Sequence, residues 1–543
     1  MADEPQMIRG IDWKATFPFV NLFRGFRVAI HPSKLFLALI ALALIYFGGK
    51  VLDGIWPENY SAVPNEIGIY GMSQGAANPS VEFSRQRDEQ RKEVVDAYKA
   101  RLHAIGKDNG GLADIKWSIN DSLSKELSAA RDYYDHLPAD AKTPEALQNR
   151  DGRIALAYAS AASDWQNAQA IKGIGLFDTF CNFELEMLNQ MVASVRQSNW
   201  LGDGGVVDAI KAFAIFAPAW AIQNHWVFFT IFFLYKLCIW SIFGGAIARI
   251  AAVHVARDEK ISIRHALRFS TSKFLSFLSA PIIPLLIIVT VGLVIAVGGF
   301  IANIPFVGPI AVGALFFVAL IAGFVMTLVT LGTGAGFNLM YPTIAVEGSD
   351  SFDAISRSFS YIYARPWRMA FYSIVSLIYG TICYLFVRFF LEMMLTLTHK
   401  FVGLFIVTHA DNTASLWNVI WPAPATVGSL TYDINYWPLG PGQKVGAFLI
   451  MLWVYLAIGL VGAFAISFYL SANTIIYFLM RNEVDATELD DVYIEQADDE
   501  FADVGQTMTV TSTTVTTVSP ASEPAPVSSP SNGNEPPSGD SSA

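Results

Sequence analysis

Apolar and polar positions alternate along this chain on two scales. On the long scale, six mostly apolar runs lie at about 35–52, 226–249, 278–301, 307–337, 370–397 and 446–479. Each is within or above the roughly 17–25 residues that a helix needs to cross a bilayer. The third and fourth are separated only by "ANIPFVG", which makes them a tight hairpin. On the short scale, the polar stretch 53–225 repeats apolar residues every three or four. Val94, Tyr98, Leu102 and Ile105 form one such series, and Leu112, Ile115, Ile119, Leu123 and Leu127 form another. Further helices are expected at 143–171 and 176–200, parted by breakers such as "GKDNGG" and "LPADAKTP". The pattern predicts an all-α fold: a polytopic helical membrane protein of about six transmembrane helices, an α-helical extracytoplasmic domain of bundled, coiled-coil-like helices, and a disordered C-terminal tail.

Composition agrees, with 53% apolar and only 15% charged residues. The net charge of −11 belongs to one end of the chain. Residues 482–543 hold thirteen acids and no Lys or Arg, leaving 36 basic against 34 acidic residues elsewhere. That balance gives nucleic-acid binding no support, so the partners expected are the lipid bilayer and other proteins. Cys181, Cys238 and Cys383 have no metal-type spacing, and no cofactor is implied.

Basic residues near the span ends set the threading. Arg9, Lys14, Arg24, Arg27 and Lys34 precede the first run; Arg257, Lys260, Arg264, Arg268 and Lys273 follow the second; Arg357, Arg365 and Arg368 follow the fourth. The positive-inside rule makes 1–34, 250–277 and 338–369 cytoplasmic, and 53–225 and 398–445 extracytoplasmic. Both termini are then cytoplasmic. No cleavage site follows 35–52, so it reads as an uncleaved signal anchor. The aromatic and basic residues of 1–34 suit an inner-leaflet interface. The stretch 206–224, interrupted by Pro218, is expected to close the extracytoplasmic domain as an interfacial helix, a re-entrant segment being the alternative. Residues 480–503 form an acidic cytoplasmic segment, and 504–543, rich in Ser, Thr, Pro and Gly, read as disordered. A weak internal repeat places Ala266 and Ser270 after the second span, and Ala354 and Ser358 after the fourth, in matching amphipathic connectors.

Candidate chemistry is sparse, because none of the common catalytic or phosphate-binding motifs is present. The glycines Gly332, Gly334 and Gly336 follow no strand and are expected to serve close helix packing. Charges within spans are costly and must find partners. Lys236, Arg388 and Glu392 are therefore a candidate intramembrane polar network; alternatively Arg388 pairs locally with Glu392 while Lys236 snorkels outward. In the last span Gly459, Ala463, Ser467 and Ser471 recur every four residues, a stripe for close approach of a helix of the same chain or of a second copy in a homo-oligomer.

The most polar stretch of the membrane half is "AVEGSDSFDAISRSFSYIYARPWRM", from Ala345 to Met369. Ser349 or Asp350 can cap a short helix with Phe352, Ile355, Phe359 and Ile362 on one face and the pair Asp353 and Arg357 on the other. Arg365 and Pro366 end it, and Trp367 and Arg368 anchor the next span. Asp353, Arg357 and Arg365 are thus candidates for docking a cytoplasmic partner. This stretch, together with "LFRGFRVAIHPSKLFLALIAL" and "FLMRNEVDATELDDVY", resembles a group of uncharacterised multi-pass membrane proteins of planctomycete-type bacteria. The resemblance implies a location and no activity. The leading expectation is a non-enzymatic envelope scaffold, assembly or signalling component; the alternative is a transporter or permease subunit with a polar site around Lys236, Arg388 and Glu392.

Overall fold

The computed structural model describes residues 17–411, 414–424 and 430–493. Among them the structure is helical apart from two isolated bridges, Ala62 with Ile174 and His409 with Ser415. Six helical runs are long and apolar enough to cross a membrane: Pro32–Ile55, Val206–Arg257, Phe274–Asn303, Val307–Glu347, Pro366–Gly403 and Pro441–Asp485. The chain is a polytopic helical membrane protein.

The first span is α1 (Pro32–Ile55), opened by Pro32, whose missing N–H costs nothing in a first turn. Helices α2 (Glu66–Ser73), α3 (Pro79–Ala104), α4 (Leu112–Asp135), α5 (Pro144–Gln169) and α6 (Leu176–Arg196) build a domain on one membrane face, here called the arm side. The periodic residues do what their spacing predicts. Ile115, Ile119, Leu123 and Leu127 of α4 pack on Ile154, Ala157 and Ala161 of α5. The loop after the fifth span joins this core, since Trp437 packs on it and Arg131 of α4 pairs with Asp411 at 2.7 Å.

The stretch 206–224 is not a helix separate from the second span. It is helical throughout, passes through one π turn at Ala212–Phe216, and continues into α7 (Ala217–Arg257). Pro218 does not break it: it follows the π turn directly, and that wider turn is where the chain absorbs the proline's missing amide bond and its ring. Ala217, Trp220 and Ala221 are buried against Ile67, Tyr70 and Phe177, so the segment belongs to the core of the domain. The bend comes instead at His225 (φ −135°, ψ 36°). There the buried Glu66 accepts the Val63 amide at 2.8 Å and Trp220 Nε1 at 3.2 Å, and meets His225 Nε2 at 3.1 Å.

On the opposite, elbow side, two short helices pack back against the spans that precede them: α8 (Ile263–Ser272) after α7, and α11 (Ser351–Ala364) after the fourth span. Between them lie α9 (Phe274–Phe300) and α10 (Val307–Glu347); α12 (Pro366–Gly403) and α13 (Pro441–Asp485) complete the set. Several spans run well past the expected apolar limits. At about 1.5 Å per residue the 45 residues of α13 are about twice as long as the hydrocarbon is thick. The excess is used on the elbow side, where Leu470 to Arg481 of α13 and Leu339 to Val346 of α10 are buried on nearly every face. Helices apolar all round belong in a core. Ala266 and Ser270 of one elbow and Ala354 and Ser358 of the other are all completely buried.

Residues 17–34 do not simply float in headgroups. Phe19 stacks edge-on with Phe371 at 5.7 Å, Phe23 with Tyr379 at 5.0 Å and Phe26 with Phe464 at 5.7 Å, so these aromatics meet α12 and α13. The small-residue stripe of α13 explains the fit. Ser467 donates to the Ala29 carbonyl at 2.7 Å, Ser471 accepts from Lys34 Nζ at 3.1 Å, and Gly459 lies against Leu39. The stripe seats the first span of the same chain. The tail expected to be disordered, 504–543, lies outside the described residues, as does the acidic segment beyond Tyr493.

Candidate functional site

Two clusters of polar side chains could carry function, one on each side. The arm-side cluster consists of two joints, one at each end of α6. Its first turn is capped from another helix, because the two carboxylate oxygens of Asp53, near the end of α1, accept the Phe177 and Asp178 amides at 2.9 and 3.0 Å. Opening amides have no partner within their own helix and favour a negative charge. Gly175 is required beside this cap, since a β-carbon there would collide with the Asp53 carboxylate. Lys50 pairs with Asp178 at 2.7 Å and tightens the joint.

The other end of α6 reaches α12. Arg196 pairs with Glu392 at 2.6 Å, Arg388 donates to the second Glu392 oxygen at 3.2 Å, and Arg388 also donates to Asn189 Oδ1 at 2.9 Å. Arg388 and Glu392 are buried, at 2% and 7% exposure. The single network of Lys236, Arg388 and Glu392 does not form. Lys236 instead faces Glu184 of α6, close enough for an electrostatic interaction, while no ion pair among the described residues includes it. The physical reason is that α6 brings its own polar groups, Glu184, Asn189 and Arg196, to both places. Burial pushes the Glu184 carboxyl up to about 8, with Lys236 acting weakly the other way.

On the elbow side, Glu347 ends α10 and Gly348 follows it with φ 65°, the left-handed C-cap that glycine takes without strain. Asp350 then caps α11 by accepting the Asp353 amide at 2.9 Å. Arg357 pairs with Asp353 at 3.2 Å, as its spacing implies, but it also closes on Glu347 at 2.9 Å and approaches Asp485 at 3.9 Å. Burial disfavours its charge, yet the carboxylates of Glu347 and Asp353 outweigh that and hold its pKa above the usual value. Tyr361 donates to Asp485 at 2.5 Å, and burial with that carboxylate pushes its hydroxyl up to about 12.

The chain then returns to the same place. Arg481 meets Glu347 at 3.6 Å and pairs with Asp491; the Tyr493 amide donates to the Val346 carbonyl at 2.8 Å; Arg249 donates to the carbonyls of Ala345 at 2.8 Å and Tyr493 at 2.6 Å. Arg249 also lies 4.4 Å over the Phe269 ring of the other elbow. So the polar face that was expected to dock a partner is engaged within the chain: Asp353 and Arg357 belong to this knot, whereas Arg365 stays exposed where α11 turns into α12. Phe352, placed on the apolar face by its spacing, is 68% exposed, and Ala354, Ser358 and Tyr361 are buried instead. Two of the three glycines in α10 admit this elbow: a β-carbon at Gly332 would meet Phe359 at 3.1 Å, and one at Gly336 would meet Ile362 at 2.7 Å.

Glu347, Arg249, Arg481 and Asp485 were not singled out by sequence reasoning. The one signal was an acid or base inside or next to an apolar run, since such a group needs a counter-charge.

Among the described residues no group of three or more His, Cys, Asp or Glu is arranged to hold a metal ion. Comparison with known proteins returned no matching family model, no matching curated protein and no matching solved structure.

Proposed function

We propose that this protein is a non-enzymatic scaffold of a bacterial cytoplasmic membrane that holds a helical extracytoplasmic arm in a set attitude over the bilayer and presents it to other envelope proteins. The basic residues that gather at the elbows, Arg257, Lys260, Arg264 and Arg268 beside the first and Arg365 and Arg368 beside the second, support a cytoplasmic elbow side and an extracytoplasmic arm. The observation that carries the reading is the bracing of α6, whose first turn is capped by Asp53 of the first span and whose last turn is clamped on Glu392 of the fifth. A permease whose solute site is formed by Lys236, Arg388 and Glu392 needs those charges free to meet the solute. Here Arg388 and Glu392 are buried and committed to α6.

Affinity purification from native membranes followed by mass spectrometry tests the proposal. Envelope proteins held through residues 79–169 are the expected partners, and a nucleotide-binding subunit would overturn the scaffold in favour of a permease. A cysteine placed within 110–140 should react with an impermeant thiol reagent in intact spheroplasts; protection would invert the topology.

A further inference from the structure

Lys236 is the span charge that the bracing leaves over. It sits deep among neighbouring atoms and still keeps an exposed side chain, with the exposed apolar Phe233 one turn before it on the same face of α7. Its level in the membrane follows from its neighbour. Tyr235 donates to the Leu44 carbonyl at 2.7 Å and its ring touches Gly48. Residues 44–48 lie below Asp53, the polar edge of α1, by roughly 8–14 Å at 1.5 Å per residue. A lysine at that depth extends its stem toward the headgroups. Facing it, Glu184 has Oε1 enclosed and without any hydrogen-bond partner.

We propose that Lys236 and Glu184 bind the phosphate of a phospholipid headgroup in the arm-side leaflet, with the acyl chains lying along α7. A cation without an ion-pair partner and a hydrogen-bonding group without a partner, both beside lipid-facing side chains, complement a phosphate diester attached to hydrocarbon. Because burial pushes Glu184 up to about 8, it keeps its proton at neutral pH and donates to a phosphate oxygen instead of repelling it. Free phosphate would satisfy the same polar groups but gains nothing from Phe233.

The test is native mass spectrometry of the full-length protein in mild detergent, titrated with phosphatidylglycerol. The wild type should retain one lipid, Lys236→Met should bind about tenfold or more weakly, and Lys236→Arg should bind nearly as the wild type does, the loss being that of a charge-assisted hydrogen bond. Glu184→Gln, which can still donate, should retain the lipid, and Glu184→Leu should lose it severalfold, so the pair of Glu184 variants reports even where Lys236→Met fails to fold. Equal binding by wild type and Lys236→Met, or by Glu184→Gln and Glu184→Leu, would overturn the site. Displacement of the lipid by millimolar inorganic phosphate would overturn its assignment to a lipid headgroup.

Discussion

Arg196 and Glu392 meet at 2.6 Å across a sequence separation of 196 residues, one from a helix of the arm domain and one from a membrane span. The contact makes the attitude of α6 a property of the fifth span. Removing the acid should therefore be felt more than removing the base. Glu392→Ala leaves Arg388 buried without its carboxylate and should cost about 3–5 kcal/mol of stability. Arg196→Ala leaves Glu392 still paired with Arg388 and should cost clearly less. Denaturant titration in micelles measures both; equal losses would mean that Arg388 does not depend on Glu392.

A second expectation concerns Lys34, completely buried with Ser471 as the hydrogen-bond partner of its ammonium. Ser471→Ala leaves the buried Lys34 amine without its hydrogen-bond acceptor and should destabilise by about 1–3 kcal/mol. In a Lys34→Met background the same change should be nearly neutral, because the group that needed the hydroxyl is gone. A double-mutant cycle read by thermal unfolding checks this, and additivity would refute the coupling.

Gly348→Ala should destabilise for two reasons that act together. The residue sits at φ 65°, and an added β-carbon would lie 2.7 Å from the Tyr493 ring. The expected loss is above about 1 kcal/mol, measured by unfolding. Limited proteolysis should in addition cut sooner after Asp485, as Tyr493 is pushed from its seat.

Glu184 supplies a pH dependence whose sign is fixed. Its folded value of about 8 lies above the ordinary 4.5, so the native state holds the proton longer than the unfolded chain does. Its contribution is fully present below about 4.5 and is lost as pH rises through about 8. The unfolding midpoint of the wild type should fall across that window, and Glu184→Gln should flatten the fall. A Gln variant with the wild-type slope would assign the dependence to another group.

The spans were legible because a run of apolar residues announces its own environment, and the elbow was legible because Asp350, Asp353, Arg357 and Pro366 act within a few residues of one another. The arm core was legible for the same reason, its period of three to four being local. What could not be read is the partner of a charge. Arg388 finds Asn189 across 199 residues and Arg481 finds Glu347 across more than a hundred, and no periodicity records which acid a base will meet after folding. The continuity of 206–257 was hidden for a different reason. Pro218 looks like a breaker until the π turn just before it is known, while the true bend at His225 lies beside Glu66, far upstream.

The hairpin of α9 and α10 has one further consequence. Its arm-side portion, from Leu285 to Leu331, exposes apolar side chains nearly throughout, whereas the buried contacts lie toward its elbow ends, at Phe277, Ala280, Gly336 and Leu339. Lipid is what surrounds most of that length, so a change in bilayer thickness or lateral pressure acts there as on a lever. The fulcrum is the elbow core. Tilt of the hairpin would arrive at Gly336 and Glu347, the points from which α11 and Arg357 are held, so the stiffness of that knot sets how far such a tilt reaches the elbow side.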